Sequence, residues 1–237
     1  MTDQARSEIF ARVRHASQRA GAGDIRNEHF RLGRSPVAQQ NGDDLNTEFL
    51  ANVIANNGSV AVTRNRSETA KQLGSYLFKK YRSRKLLVGG DPRLAAMPWR
   101  DGGLLPRFGA AEDGDLASVS YAQMAIAETG SIVSFTGRTN PAANNLLVED
   151  HIVIVDAADV VATLDDLWTR VEELPARLQR PRGINIISGP SSTADIEMHL
   201  VKGAHGPRSW HVILQGDVPE DVADRAHEIA RSAAVSD

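Results

Sequence analysis

The sequence predicts a Rossmann-like α/β domain with a mostly parallel sheet and helices on both faces. Three observations carry that prediction. From Leu45 onward, segments with helical apolar spacing alternate with short β-branched runs. Two late runs, Gly183–Ile187 (GINII) and Trp210–Leu214 (WHVIL), read as further strands of this alternating pattern. The chain has 237 residues, enough for one large domain with a substantial core.

Ser7 to Ala20 reads as a helix with Ile9, Phe10 and Val13 on one side. Residues 21–44 hold Gly21, Gly23, Gly33, Pro36 and Gly42 and read as a loop or arm. The expected division is therefore an N-terminal helix and arm over 1–44 and a domain over 45–237. Such an arm could wrap a neighbouring subunit, which leaves a homo-oligomer open. Leu45, Phe49, Leu50, Val53 and Ile54 define a helix that Asn56-Asn57-Gly58 ends, since Asn and Gly accept the left-handed conformation. Ser59–Thr63 (SVAVT) follows as a strand, Ser67–Tyr81 as an amphipathic helix and Lys85–Val88 (KLLV) as a strand before Gly89-Gly90. Ala117–Tyr121, Ser131–Phe135 and Ile152–Val155 read as further strands. Thr163–Leu178 reads as a helix with Leu164, Leu167, Val171 and Leu174 inward. Pro219–Ala234 closes the chain, with Pro219 suited to a first helical turn.

Composition narrows the function classes. There is no cysteine, which removes disulfides, thiolate nucleophiles, zinc–thiolate sites and cysteine-ligated iron–sulfur clusters from this chain. Net charge is −3 but uneven: residues 1–100 carry 17 Lys/Arg against 9 Asp/Glu, and residues 101–237 carry 10 against 21. The dispersed cations from Arg64 to Lys85 read first as a solvated helix face and second as a docking surface or anion-facing rim. Aromatics are 5% and do not interleave with the basic residues, so nucleic-acid binding is not expected. No apolar run is long enough to span a bilayer, and the N-terminus shows no secretory signal; the expected location is cytoplasmic. There is no Walker A, G-x-G-x-x-G or G-x-S-x-G pattern, so a nicotinamide cofactor is not supported and the bound ligand is left unnamed.

The densest polar stretch follows the strand Gly183–Ile187. It runs Ser188-Gly-Pro-Ser-Ser-Thr-Ala-Asp-Ile-Glu197, with Gly203-Ala-His-Gly-Pro207 a little later. Gly189-Pro190 breaks the strand, and Ser192 with Asp195 resembles a capping box. The expectation is a strand–turn–helix unit with the helix reaching Lys202 and Gly203 beyond its end. Ligands gather at such places, near strand carboxyl ends and helix N-termini. The candidate ligand-binding residues here are Ser188, Gly189, Pro190, Ser191, Ser192, Thr193, Asp195 and Gly206. Glu197 and His205 are candidate acid/base groups. Asp195 and Glu197 would oppose a phosphate at that helix start, so the ligand either offers donors to the carboxylates or is held through the hydroxyls. Taken singly, these residues read as caps, surface ion pairs or a tight turn. His199, His205 and His211 recur every six residues, a spacing that fits neither an i, i+4 helical metal pair nor an HxH strand pair. No metal site is expected, and His211 reads as a strand residue.

A second segment, Ala127-Glu-Thr-Gly-Ser-Ile-Val133, places Glu128 between two apolar runs. A carboxylate so placed can act as acid, base or nucleophile, or it can be a turn glutamate in solvent. Thr129, Gly130 and Ser131 are candidate ligand contacts, with Gly130 allowing close backbone approach.

Together, A-E-T-G-S-I-V (127–133), S-G-P-S-S-T-A-D-I-E (188–197) and G-A-H-G-P (203–207) resemble the LUD domain of lactate utilization proteins, and among them the LutC-type members. The resemblance covers roughly Leu45 to Leu214. Ser192 departs from the family pattern, which most often carries Arg there. The resemblance implies a fold similar to the NagB/RpiA/CoA-transferase group. It also implies a role in oxidising L-lactate to pyruvate beside iron–sulfur partner proteins. The absence of cysteine agrees with such a division of labour. Three functions follow as expectations. The first is a non-redox subunit or accessory protein that binds a small carboxylate or a nucleotide. The second is a stand-alone CoA-transferase-like or ligase-like enzyme using Glu128 or Glu197. The third is a metabolite-binding regulator without chemistry.

Overall fold

The computed structural model describes residues 3–19, 44–174, 181, 183–194 and 200–236. The chain divides into two compact units, 1–38 and 39–237. The first contains α1 (Asp3–Arg19), whose Ile9, Phe10 and Val13 are exposed.

The second unit opens with α2 (Leu45–Ala55), started by the Asp44 side chain accepting from the Asn46 N–H. It ends at Asn56-Asn57, where Asn57 takes the left-handed conformation. Next come β1 (Ser59–Thr63), α3 (Arg66–Tyr81) capped by Asn65, and β2 (Lys85–Val88). A short α4 (Pro92–Ala95) has Asp91 as its cap and proline in its first turn. The chain continues through β3 (Leu105–Phe108), β4 (Ala117–Tyr121), β5 (Met124–Ile126) and β6 (Ser131–Thr136). Then follow α5 (Ala142–Leu146), β7 (Asp150–Asp156), β8 (Val160–Val161), α6 (Leu164–Glu172) and β9 (Gly183–Ile187). Strands β10 (Ser192–Ala194), β11 (Leu200–Lys202) and β12 (Ser209–Gln215) precede α7 (Val222–Ser236).

Six strands form one sheet in the order β1-β12-β7-β4-β2-β3, and every neighbouring pair is parallel. This is the α/β architecture that the alternating pattern predicts. Successive residues of β7 go to opposite faces. Val153 and Val155 join Val212, Leu214, Phe49, Leu50 and Val222 in a core under α2 and α7. Ile152 and Ile154 join Ile213, Leu73 and Leu77 in a core under α3. Because both faces are covered, the central strands carry apolar runs rather than alternation.

The structure corrects four expectations. Strands Ser131–Phe135 and Gly183–Ile187 do not extend the parallel sheet. They belong to a four-stranded sheet, β8-β5-β6-β9, in which β6 is antiparallel to both β5 and β9. The short link Ala127–Gly130 between β5 and β6 allows only an antiparallel return, since a parallel pair needs a long crossover. Where a helix is expected from Ser192 to Lys202, Ser192–Ala194 and Leu200–Lys202 are instead the antiparallel pair β10–β11, with Ser192 opposite Lys202 and Thr193 opposite Val201; residues 195–199 lie outside the described residues. Ser192 therefore lies in a strand and caps no helix. Helix propensity is a weak prior, and here a cross-strand pair of β-branched residues and two anchoring hydrogen bonds override it. Those bonds are the Ser191 N–H to the Pro207 carbonyl and the Gly203 N–H to the Ser191 carbonyl, both 2.9 Å. Leu164, expected inward, is exposed at the start of α6, where Leu167 is the buried residue. The closing helix begins at Val222, so Pro219 lies before its first turn.

Candidate functional site

The two sequence motifs meet on the last turns of α2. Asn52 and Asn56 stand one helical turn apart on that helix. The Asn52 amide donates to the Ala127 carbonyl at 2.8 Å, and the Asn56 amide donates to the Thr129 carbonyl at 2.8 Å and to Ser188 Oγ at 3.4 Å. Gly130, at φ +61°, presses its backbone against Asn52 and Val53. Gly189, at φ +106°, lies against the Asn56 carbonyl. One glycine from each motif is thus needed for close approach to the same helix end.

Three candidate residues form a continuous hydroxyl chain there. Thr129 Oγ1 is 2.7 Å from Ser131 Oγ, Ser131 Oγ is 2.8 Å from Ser188 Oγ, and Ser188 donates to the Thr129 carbonyl at 3.1 Å. Glu128 turns the other way. Its Oε1 accepts the Leu164 N–H at 2.7 Å, at the first turn of α6, beside a capping box made by Thr163 and Asp166. Glu48 on α2 shares this setting. Burial, and then the negative charge of Glu128, raise its carboxyl above the ordinary carboxylate range.

Beyond Ser188 the second motif lines a cavity of about 120 Å³. Gly189, Ser191, His205 and Gly206 form one side of it. The loop is tied together by the His205 N–H donating to Ser191 Oγ at 3.4 Å. His151 of β7, Asn145 of α5 and Trp210 of β12 form another side, none of them expected from the sequence. All three are buried, and the His151 Nδ1, Asn145 Oδ1 and Trp210 Nε1 atoms have no hydrogen-bond partner among the described residues. His151 Nε2 is 2.7 Å from Ser120 Oγ on the neighbouring strand. Burial pushes the His151 pKa down to about 3, so its ring is neutral at physiological pH.

The structure therefore brings together Thr129, Gly130, Ser131, Ser188, Gly189, Ser191, His205 and Gly206. Pro190 lies between the two groups, Ser192 and Thr193 are exposed on β10, and Asp195 and Glu197 lie outside the described residues. Asn52 and Asn56, the hub of the junction, were missed; their signal was a pair of amides at i, i+4 among the apolar residues of the last turns of α2. His211 is a buried strand residue, as its surroundings in the sequence predict. Ser59 Oγ lies 2.8 Å from its Nδ1 and Tyr76 stacks on its ring. Among the described residues no group of three or more His, Asp or Glu is placed to hold a metal ion.

A separate polar row occupies the carboxyl ends of the parallel strands. Tyr121 donates to Asp156 Oδ1 at 2.6 Å, Gln215 donates to Tyr121 at 3.2 Å, and Thr69 donates to Gln215 Oε1 at 2.9 Å. The Arg93 guanidinium lies 4.0 Å from the Tyr121 ring centroid and pairs with Asp91. Ligands of open α/β sheets usually sit at this end. Here the row satisfies itself, whereas the cavity with unpartnered polar atoms lies near the opposite ends of β7 and β12.

A parallel six-stranded α/β sheet, flanked by a mostly antiparallel sheet and carrying its motifs at the junction of the two, is the class of protein that this geometry defines. Residues 115–215 match the family model of the LUD domain, a span that includes both motifs and the cavity residues. Over that span the chain is similar to the LUD domain, and its relatives include LutC-type lactate utilization proteins. It is 28% identical over 151 residues to lactate utilization protein C of Exiguobacterium sp., covering 60% of this chain and 66% of that protein. It is 34% identical over 108 residues to lactate utilization protein C of Shouchella clausii, covering 45% and 47%. To the uncharacterized protein YkgG of Escherichia coli it is 27% identical over 192 residues, covering 75% and 81%. The matched stretches thus span about half to two thirds of the lactate utilization proteins' own length. In fold it resembles the crystal structure of a DUF162 family protein from Deinococcus radiodurans, with a TM-score of 0.53 and 21% identity, over 73% of this chain and 96% of that one.

Proposed function

We propose that this chain is a non-redox component of an L-lactate oxidation system and binds a small carboxylate metabolite in the cavity beside the motif junction. The observation that carries the reading is the cavity itself. Both motifs converge beside it, and its wall combines Ser191 and His205 with buried groups that have no protein partner. Its volume of about 120 Å³ suits a ligand of a few heavy atoms, such as lactate or pyruvate. A nucleotide would need a site of roughly 300 Å³ or more. The pathway follows from the similarity to proteins named lactate utilization protein C. In this reading cysteine-ligated electron carriers reside in partner proteins, with which the lack of cysteine in this chain agrees. Glu128, with one oxygen committed to a helix end, takes no chemical step in this reading.

The test is thermal denaturation of the full chain with L-lactate, pyruvate or ATP. L-lactate or pyruvate should raise the midpoint, and a ligand at 100 times its dissociation constant adds about 2.7 kcal/mol. His205→Ala should weaken that response. Stabilisation by ATP alone would overturn the cavity assignment. Normal growth on L-lactate after deletion of the gene would overturn the pathway.

A further inference from the structure

We propose that His151 is the buried residue that contacts the ligand's polar head in this cavity, as a neutral hydrogen-bonding group that Ser120 positions. The inference rests on the cavity reading above and adds a residue that neither motif contains. His151 is the second residue of β7 and only 1% exposed. It shares a sheet face with Val153 and Val155, so its ring lies on the α2 side. Ser120, equally deep on the adjacent parallel strand β4, holds Nε2 at 2.7 Å. Nδ1 is left without a partner among the described residues, on a ring that lines the cavity.

An unpaired buried nitrogen forfeits its hydration without recompense, and native interiors rarely keep one unless water or a ligand meets it. Ser120 also decides what Nδ1 can offer. When the hydroxyl donates to Nε2, Nδ1 carries the proton and is a donor; when it accepts, Nδ1 is an acceptor. Asn145 lines the same cavity from α5, and its side-chain oxygen is likewise without a partner among the described residues. No lysine or arginine lines the cavity among the described residues. A neutral wall of this kind suits a ligand with at most one negative charge, because further charge would be desolvated without compensation.

The test uses the full chain with nitrogen-15-labelled histidine and tryptophan, observed by one-bond and long-range proton–nitrogen NMR while L-lactate or pyruvate is added. The free protein should show a single neutral tautomer for His151, and either probe should move its Nδ1 resonance. Ser120→Ala should mix the tautomers before any ligand is added and weaken binding roughly two- to tenfold. Shifts at His205 and the Trp210 indole with His151 unmoved would overturn this assignment and leave the cavity reading standing. No shift at any of the three would overturn both. The wild-type titration is decisive by itself should Ser120→Ala fail to fold.

Discussion

A Cβ added to Gly130 would lie 2.5 Å from the Asn52 carbonyl carbon and 2.6 Å from the Val53 nitrogen, at a backbone φ of +61°. Neither obstacle is a flexible side chain, so nothing can swing aside. Gly130→Ala should therefore cost roughly 2–3 kcal/mol through strain and displacement of α2. The urea midpoint should fall accordingly, and an unchanged midpoint would refute the close-approach role. The sequence marks Gly130 as special but not the reason. A glycine in a turn looks the same whether a ligand or a helix needs the space. Glu128 carries a similar ambiguity. A lone carboxylate between apolar runs is compatible with acid/base chemistry and with a helix cap, and only the Leu164 N–H shows what one of its oxygens meets.

At the scale of elements, α2 connects parts of the chain far apart in sequence. Its apolar spacing is legible, and the structure places Phe49, Leu50 and Val53 in the core. Its polar face acts through Asn52 and Asn56, which hold the β5–β6 turn and the start of the second motif. Asn52→Ala leaves the Ala127 carbonyl without that donor and should cost about 1–3 kcal/mol. Hydrogen exchange should show faster opening of residues 127–131 than of β7. Equal protection at both places would show that the Asn52 contact holds nothing. Periodicity shows which side of a helix is wet or dry, but not which loop arrives there. The β10–β11 pair is illegible for a related reason: its strands are three residues each, and only their pairing distinguishes them from a helical turn.

Over the whole molecule, His151 and His211 are buried on opposite faces of the parallel sheet. Burial lowers their pKa values to about 3 and about 4, from an ordinary 6.5. Their folded values are depressed, so the unfolded chain takes up protons first. Their stabilisation is fully present above about pH 6.5 and is lost as pH falls toward those folded values. Each contributes a slope approaching 1.4 kcal/mol per pH unit below 6.5. Urea unfolding between pH 7 and pH 5, above the range where ordinary carboxylates protonate, should show stability falling with acidification. His211→Gln should reduce that slope by about half. A flat profile would mean that both rings become charged without opening the fold.

By itself, the sequence determined the α/β class, the helices around a parallel sheet and the two motifs that carry the family likeness. It also determined that no cysteine chemistry resides in this chain. These are local properties: apolar period, turn residues and composition act over a few neighbours and survive any rearrangement of the elements. Only the tertiary structure decided that β6 and β9 belong to a separate four-stranded sheet and that both motifs rest on Asn52 and Asn56. It alone placed His151, Asn145 and Trp210 beside Ser191 and His205. These are contacts across dozens of residues, set by how sheets and helices pack, and no spacing along the chain encodes which buried nitrogen is left without a partner beside a cavity.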